Sequence, residues 1–212
     1  MNAAPPTVYL VDDDVSFLTA TSRLLRASGF TVQTFLSASE FLAHSVADAP
    51  GCVVADLQMP GLNGLDLQTA LARTSNPLPL LFLSGHGDIA STVRAMRGGA
   101  EDFLEKRAPL EQLLNAVRRA LVRNAQEREA QARRRSLRER FDALSAREVE
   151  VLSHLLRGRL NKQMAGDLGI SERTVKLHRR AIMTKLGVRS VATLSRLTQE
   201  AGVIPADAPA FP

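Results

Sequence analysis

The sequence contains one cysteine, no tryptophan and no apolar run approaching the roughly 18 residues that a membrane-crossing helix needs. A lone Cys52 excludes an internal disulfide framework. Together with four scattered histidines it makes no zinc site at any usual ligand spacing. Met1 to Thr7 lack the basic flank and long apolar core of a secretory signal. No internal repeat is visible. The expectation is a soluble cytoplasmic protein with no membrane partner. At roughly 100–200 residues per domain, 212 residues make one or two domains.

Charge is unevenly placed. Met1 to Glu105 carry a net −6, whereas Lys106 to Pro212 carry +11. An acidic half beside a basic half points to two tasks, and the basic half is a candidate for a polyanion partner. A solvated, arginine-rich helical face would give the same count.

Apolar patterning divides the chain in the same place. Val8 to Val11, Phe30 to Leu36, Cys52 to Ala55, Leu80 to Leu83 and Asp102 to Leu104 read as five short strands. Between them lie helical patterns at Phe17 to Leu25, Ser39 to Val46, Leu65 to Ala72 and Ile89 to Met96, and a last one begins at Leu110. Alternation of this kind predicts a parallel sheet covered by helices on both faces. The last helix is expected to run on into an Ala, Gln, Glu and Arg stretch without glycine or proline, which reads as an exposed helical linker. Beyond it only helical patterns remain, broken by Gly158, Gly169 and Gly187. The expected boundaries are a first domain at 1–122, a linker at 123–140, a second domain at 141–204 and a disordered tail at 205–212.

The first domain places its chemistry at strand ends. Asp12, Asp13 and Asp14 follow the first strand, Asp56 the third, Ser84 ends the fourth and Lys106 lies just past the fifth. Ligands of such sheets bind at the carboxyl ends of the strands. Clustered carboxylates repel unless a cation intervenes, and a hard divalent ion such as Mg2+ answers that need. A carboxylate can act as nucleophile and form an aspartyl-phosphate. Lys106 offers a compact charge to a phosphoryl oxygen, and the Ser84 hydroxyl can hydrogen-bond another. Asp14 is read as a helix cap. Cys52 is read as a buried strand residue, and His86 chiefly as a loop residue beside the site.

In the basic half, Ser145 and Glu148 have the spacing of a capping box. The helix it opens stops at Gly158, a second short helix covers Asn161 to Leu168, and Ser171 caps a third. Helix, short glycine-containing turn, helix is the pattern of a DNA-binding helix-turn-helix. On the third helix Val175, His178, Ile182 and Leu186 share a core face. Arg173, Lys176, Leu177, Arg180 and Thr184 lie opposite, flanked by Arg179 and Lys185. An exposed cationic stripe of this kind suits a major groove, with cations at phosphates and long donors at base edges.

Two resemblances follow. The stretches Leu10 to Asp14, Val54 to Gly64, Leu83 to Gly87 and Gly99 to Lys106 resemble the receiver domain of bacterial two-component response regulators. That resemblance implies a flavodoxin-like fold with Asp56 as phosphoacceptor. Asp12, Asp13, Asp56 and the Gln58 backbone carbonyl become Mg2+ ligands, and Ser84, Phe103 and Lys106 the switch and phosphate contacts. The proline that usually follows the lysine is Arg107 here, which leaves the placement of Lys106 open. Leu144 to Leu152, Gly158 to Ala165, Leu168 to His178 and Met183 to Val188 resemble the four-helix DNA-binding domain of NarL/FixJ (LuxR-type) regulators. There the base-facing positions correspond to Lys176, Leu177 and Arg180. Asn161, Thr174 and Lys185 fall near phosphates, and Arg173 and Arg179 join them as phosphate contacts.

The expected protein is a FixJ-like regulator. A sensor histidine kinase would phosphorylate Asp56, a homodimer would form, and double-stranded DNA would be bound to regulate transcription, with RNA polymerase a further partner. The alternatives are a DNA-binding regulator whose receiver is only an interaction module, kept open by Arg107, and an aspartyl-phosphate-forming hydrolase. Gln58 and the basic helix-turn-helix weigh against the hydrolase, because such hydrolases commonly carry aspartate two residues after the nucleophile. No enzymatic turnover is expected beyond the receiver's own phosphoryl chemistry.

Overall fold

A computed structural model describes residues 5–44, 49–74, 78–85 and 89–203. His86, Val46 and the tail 205–212 lie outside the described residues. The chain divides into two compact units, Met1–Arg128 and Glu129–Pro212.

The first unit alternates strand and helix: β1 (Thr7–Val11), α1 (Val15–Ala27), β2 (Thr31–Phe35), α2 (Ala38–Ala43), β3 (Gly51–Asp56), α3 (Gly64–Ala72), β4 (Leu80–Ser84), α4 (Ile89–Arg97), β5 (Asp102–Glu105) and α5 (Leu110–Asp142). The five strands are parallel in the order β2-β1-β3-β4-β5. Side chains of a strand alternate between faces, so one sheet builds two cores. Val8, Leu10, Cys52, Val54, Leu81 and Leu83 pack with Leu18 and Leu25 of α1 and Leu113, Ala116 and Val117 of α5. Tyr9, Val11, Val53, Ala55, Leu80 and Phe82 pack with Phe41 of α2, Leu67 of α3 and Ala95 of α4. Burial on both sides explains why these strands read as continuous apolar runs rather than alternating ones. Cys52 is fully buried, and burial pushes its thiol up to about 12.

The order reverses between β1 and β3, where doubly wound sheets open their crevice. In register Val11 pairs with Ala55, so the next residues, Asp12 and Asp56, emerge side by side.

The second unit holds α6 (Ala146–Leu156), α7 (Asn161–Leu168), α8 (Glu172–Leu186) and α9 (Val191–Ala201) around a core of Val151, Leu152, Leu155, Met164, Val175, Ile182, Leu186 and Leu194. The Ser145–Glu148 capping box forms as expected, with each partner accepting the other's backbone N–H. Gly169 ends α7 at φ 65°, a left-handed conformation that makes the tight turn into α8 and that residues with a Cβ rarely adopt.

Segment 123–140, expected as an exposed helical linker, is mostly exposed, with Asn124 and Leu137 its buried residues. It is helical throughout, but both ends are fastened. Asn124 is buried and its Oδ1 accepts from the Gly51 N–H at the start of β3 (3.0 Å). Leu137 and Phe141 are buried in the second unit's core. Three apolar or amide side chains spaced along an otherwise charged helix carry too little hydrophobic signal to register in sequence.

Candidate functional sites

The strand-end cluster assembles around Lys106. Its backbone N–H continues the β4–β5 ladder by donating to Ser84 C=O (2.9 Å). Its Nζ lies 2.7 Å from Asp12 Oδ2 and 2.9 Å from Asp56 Oδ2. Among the described residues every peptide bond is trans, so Lys106 reaches both carboxylates with Arg107 in the place of the usual proline. The same ammonium stands 4.6 Å over the Phe17 ring, a cation–π contact from the first turn of α1. Sequence reading missed Phe17, because its helical spacing marks it only as an apolar residue of α1.

Asp12 and Ser84 are buried to 1% exposure, Asp56 is also buried, and Asp13 is open to solvent. Burial is the largest influence on Asp12 and raises its pKa above the ordinary 3.8. The Lys106 ammonium beside it and a hydrogen bond from the Asp14 N–H pull it back without cancelling the shift. For Lys106 burial is again the largest single influence and opposes its charge. The hydrogen bond to Asp56, the close contact with Asp12 and the charges of both carboxylates together outweigh it and hold the pKa above the ordinary 10.5. Asp14 caps α1 through its Oδ1, which accepts from the Ser16 and Phe17 N–H groups, as its position predicts.

Asp12, Asp13 and Asp56 each offer an oxygen, all within 4.8 Å of one another. Asp12 Oδ2 has its charge met by Lys106 but accepts no hydrogen bond, which leaves a buried oxygen short of a partner. An all-oxygen donor set with one under-satisfied buried oxygen fits a hard divalent cation. Gln58 follows in the loop, its N–H donating to Asp56 Oδ1 (3.3 Å). Phe103 is half-buried at the sheet edge, its ring 6.2 Å from that of Phe82.

In the second unit α8 is two-faced. Val175, Ile182 and Leu186 are fully buried and His178 is half-buried, whereas Arg173, Lys176, Leu177, Arg180 and Thr184 are exposed. Leu177 leaves 61% of its surface in water among cations. An apolar side chain held there is suited to a thymine methyl. Arg179 is half-buried and donates to Asn161 Oδ1, joining α8 to the start of α7. Thr174 shares a hydrogen bond with the cap residue Ser171 (2.9 Å).

Lys185, expected at a phosphate, has partners inside the unit. Its Nζ lies 2.7 Å from Glu148 Oε2 and 3.1 Å from Ala143 C=O. The Glu148 carboxyl is correspondingly held below the ordinary 4.5, first by Lys185 and then by the Ser145 N–H. The lysine therefore braces the capping box of α6.

Two family models match the chain, the response regulator receiver domain over residues 8–118 and the bacterial regulatory proteins of the luxR family over 142–198. The response regulator protein TodT of Pseudomonas putida is 44% identical over 94% of this chain and 88% of its own. Among solved structures, the response regulator StyR superposes with a TM-score of 0.83 at 46% identity, covering 93% of this chain and all of that one. Full-length FixJ from B. japonicum gives 0.57 at 34% identity over 94% and 98%. The two family models together span the receiver and the four-helix unit, and these relatives cover both: the chain belongs to the two-component response regulators that join a receiver domain to a LuxR-family DNA-binding domain to regulate transcription.

Proposed function

We propose that Asp56 accepts a phosphoryl group from a sensor histidine kinase and that this event controls dimerisation and DNA binding. The observation that carries this reading is Lys106 Nζ held between Asp12 and Asp56 at the reversal of strand order. A carboxylate oxygen of Asp56 forms the new P–O bond. The P–N bond of the donor phosphohistidine breaks, its electron pair stays on the imidazole, and that ring takes a proton from solvent. Mg2+, held by Asp12, Asp13, Asp56 and the Gln58 carbonyl, would supply the positive charge that offsets the phosphoryl oxygens.

Lys106 exchanges its contact with Asp56 for a phosphoryl oxygen, and the Ser84 hydroxyl donates to another. Phe103 follows by changing rotamer. The face used for pairing is α4, where Ile89, Val93 and Met96 lie along one side and are 84, 41 and 45% exposed. Two copies then present two α8 helices to half-sites about one turn of DNA apart. Lys176, Leu177 and Arg180 meet base edges, while Arg173, Thr174, Asn161 and Arg179 lie near phosphates. The receiver's own phosphoryl chemistry is its only catalysis, and the cytoplasm, where the DNA lies, is its compartment.

Intact-mass measurement after incubation with acetyl phosphate and Mg2+ tests the first step. A gain of one phosphoryl group that disappears in Asp56→Asn supports it. No gain, or one indifferent to that substitution, overturns it.

A further inference from the structure

The ends of three helices in the second unit share one device. Carbonyls of a helix's last turn lack partners within the helix and carry the negative end of its dipole. At α7 the Arg147 guanidinium donates to Leu168 C=O. At α9 Arg138 Nε donates to Ala201 C=O (3.1 Å), and Arg133 pairs with Glu200. At α8 Arg140 Nη2 donates to Leu186 C=O. Two of these three braces come from the end of α5, before residue 142, where the match to the luxR-family model begins.

Around Arg140 the fit is close. Gly187 follows Leu186 at φ 65°, and a Cβ there would collide with Arg140 Nη2. Leu137 and Phe141, flanking Arg140 on α5, are buried in the core that also holds Ile182 and Leu186. The arginine thus spans a short gap from one anchored helix to the end of another.

We propose that the DNA-reading unit includes the last turns of α5 and that Arg140 is a positioning residue, fixing the register of α8 from its carboxyl end. This rests on α8 being the reading helix. From Arg180 to Leu186 a helix rises about 9 Å. A last turn held by a charged fork on an anchored neighbour therefore limits how α8 tilts under its base-facing side chains. Arg140 touches no DNA in this role. Its partner is a carbonyl, so its loss alters discrimination between sequences and not the number of neutralised phosphates.

The test uses the full chain, phosphorylated with acetyl phosphate and Mg2+. The probes are a duplex that this chain selects from a random-sequence pool and a scrambled duplex of equal length. Affinity for both is measured over a range of salt in wild type, Arg140→Met, Arg138→Met and Arg180→Ala. Arg140→Met is expected to weaken binding to the selected duplex about tenfold, and the scrambled one far less, with an unchanged salt slope. Hydrogen exchange at the last turn of α8 should quicken. Arg138→Met, which frees the end of α9 instead, should leave the ratio between duplexes near wild type.

Equal weakening on both duplexes with a salt slope lower by about one would make Arg140 a direct phosphate contact and overturn the proposal. So would an unchanged ratio, or an equal loss of ratio in Arg138→Met. If Arg140→Met does not fold, Arg140→Lys decides. One donor in place of a fork should give a smaller loss in the same ratio, and full retention of discrimination overturns the proposal. Arg180→Ala separates the two readings. If it too leaves discrimination intact, α8 is not the reading helix. If it alone abolishes discrimination, only the role of Arg140 falls.

Discussion

Asp12 shows how a binding site is held at the expense of its own fold. Its carboxylate is buried and raised in pKa by that burial, with the nearby charge of Asp56 pushing the same way. A carboxyl whose pKa is higher in the folded state binds more protons when folded. Stability therefore falls as pH rises through that window, and at neutral pH the ionised group carries the full penalty. Asp12→Asn removes the charge and keeps an oxygen for the Asp14 N–H. Without divalent cation this variant is expected to be more stable than wild type at neutral pH by on the order of 1 kcal/mol. The gap should close as pH is lowered through the raised pKa of Asp12. Added Mg2+ should reverse the order, since a ligand bound only by the folded state stabilises it in proportion to its affinity. Urea unfolding at several pH values, with and without Mg2+, measures both effects. A variant less stable than wild type throughout would contradict this account of the site.

At the scale of elements, the second unit depends on how helix ends are closed. The α6 capping box is completed by Lys185 of α8, and the lowered pKa of Glu148 sets its pH dependence. A depressed carboxyl pKa contributes stability above the ordinary value of 4.5, lost as pH falls through the folded value. Glu148→Gln is therefore expected to lower stability at neutral pH by about 1–2 kcal/mol, and the difference from wild type should vanish in acid. Thermal melts across the acid range read this directly. The α8 surface makes a separate prediction. Lys176→Ala and Arg180→Ala should each lose preference at particular base pairs, by about 1–3 kcal/mol per contact. Arg179→Ala should weaken all sequences alike and flatten the salt dependence. Sequence-independent losses in all three would place the reading face elsewhere.

What sequence conveyed at this scale follows from how local each signal is. The strands of the sheet, the Ser145–Glu148 box and the two faces of α8 are written in spacings of two to four residues, and each is found in the structure. The meeting of Asp12, Asp56 and Lys106 is not local. It was legible only because strand ends of such sheets converge and because the motif resembles a known receiver. Arg138, Arg140 and Lys185 could not be read in this way. An arginine in a charged helical run looks the same whether it faces water or a carbonyl of a distant helix. Arg133, Arg138, Arg140, Arg147 and Lys185 all have partners within the second unit.

For the whole molecule, the phosphoryl group has to act as an effector of association. It shifts the equilibrium only by stabilising one state of the receiver more than the other. The exposed side of α4 is where that difference is expected to be expressed, because Ile89, Val93 and Met96 leave apolar surface in water that a second copy would cover. Val93→Glu places a charge in the middle of that stripe, away from Asp56 and from α8. Its phosphoryl uptake by intact mass should match wild type, and its affinity for a single half-site should be unchanged. In sedimentation the phosphorylated wild type is expected as a dimer and the variant as a monomer. Binding to a duplex carrying two half-sites should weaken by the loss of linkage between them, about a hundredfold or more. A phosphorylated Val93→Glu that still dimerises would move the pairing face off α4. One that stays monomeric yet binds two half-sites as tightly as wild type would detach dimerisation from DNA recognition altogether.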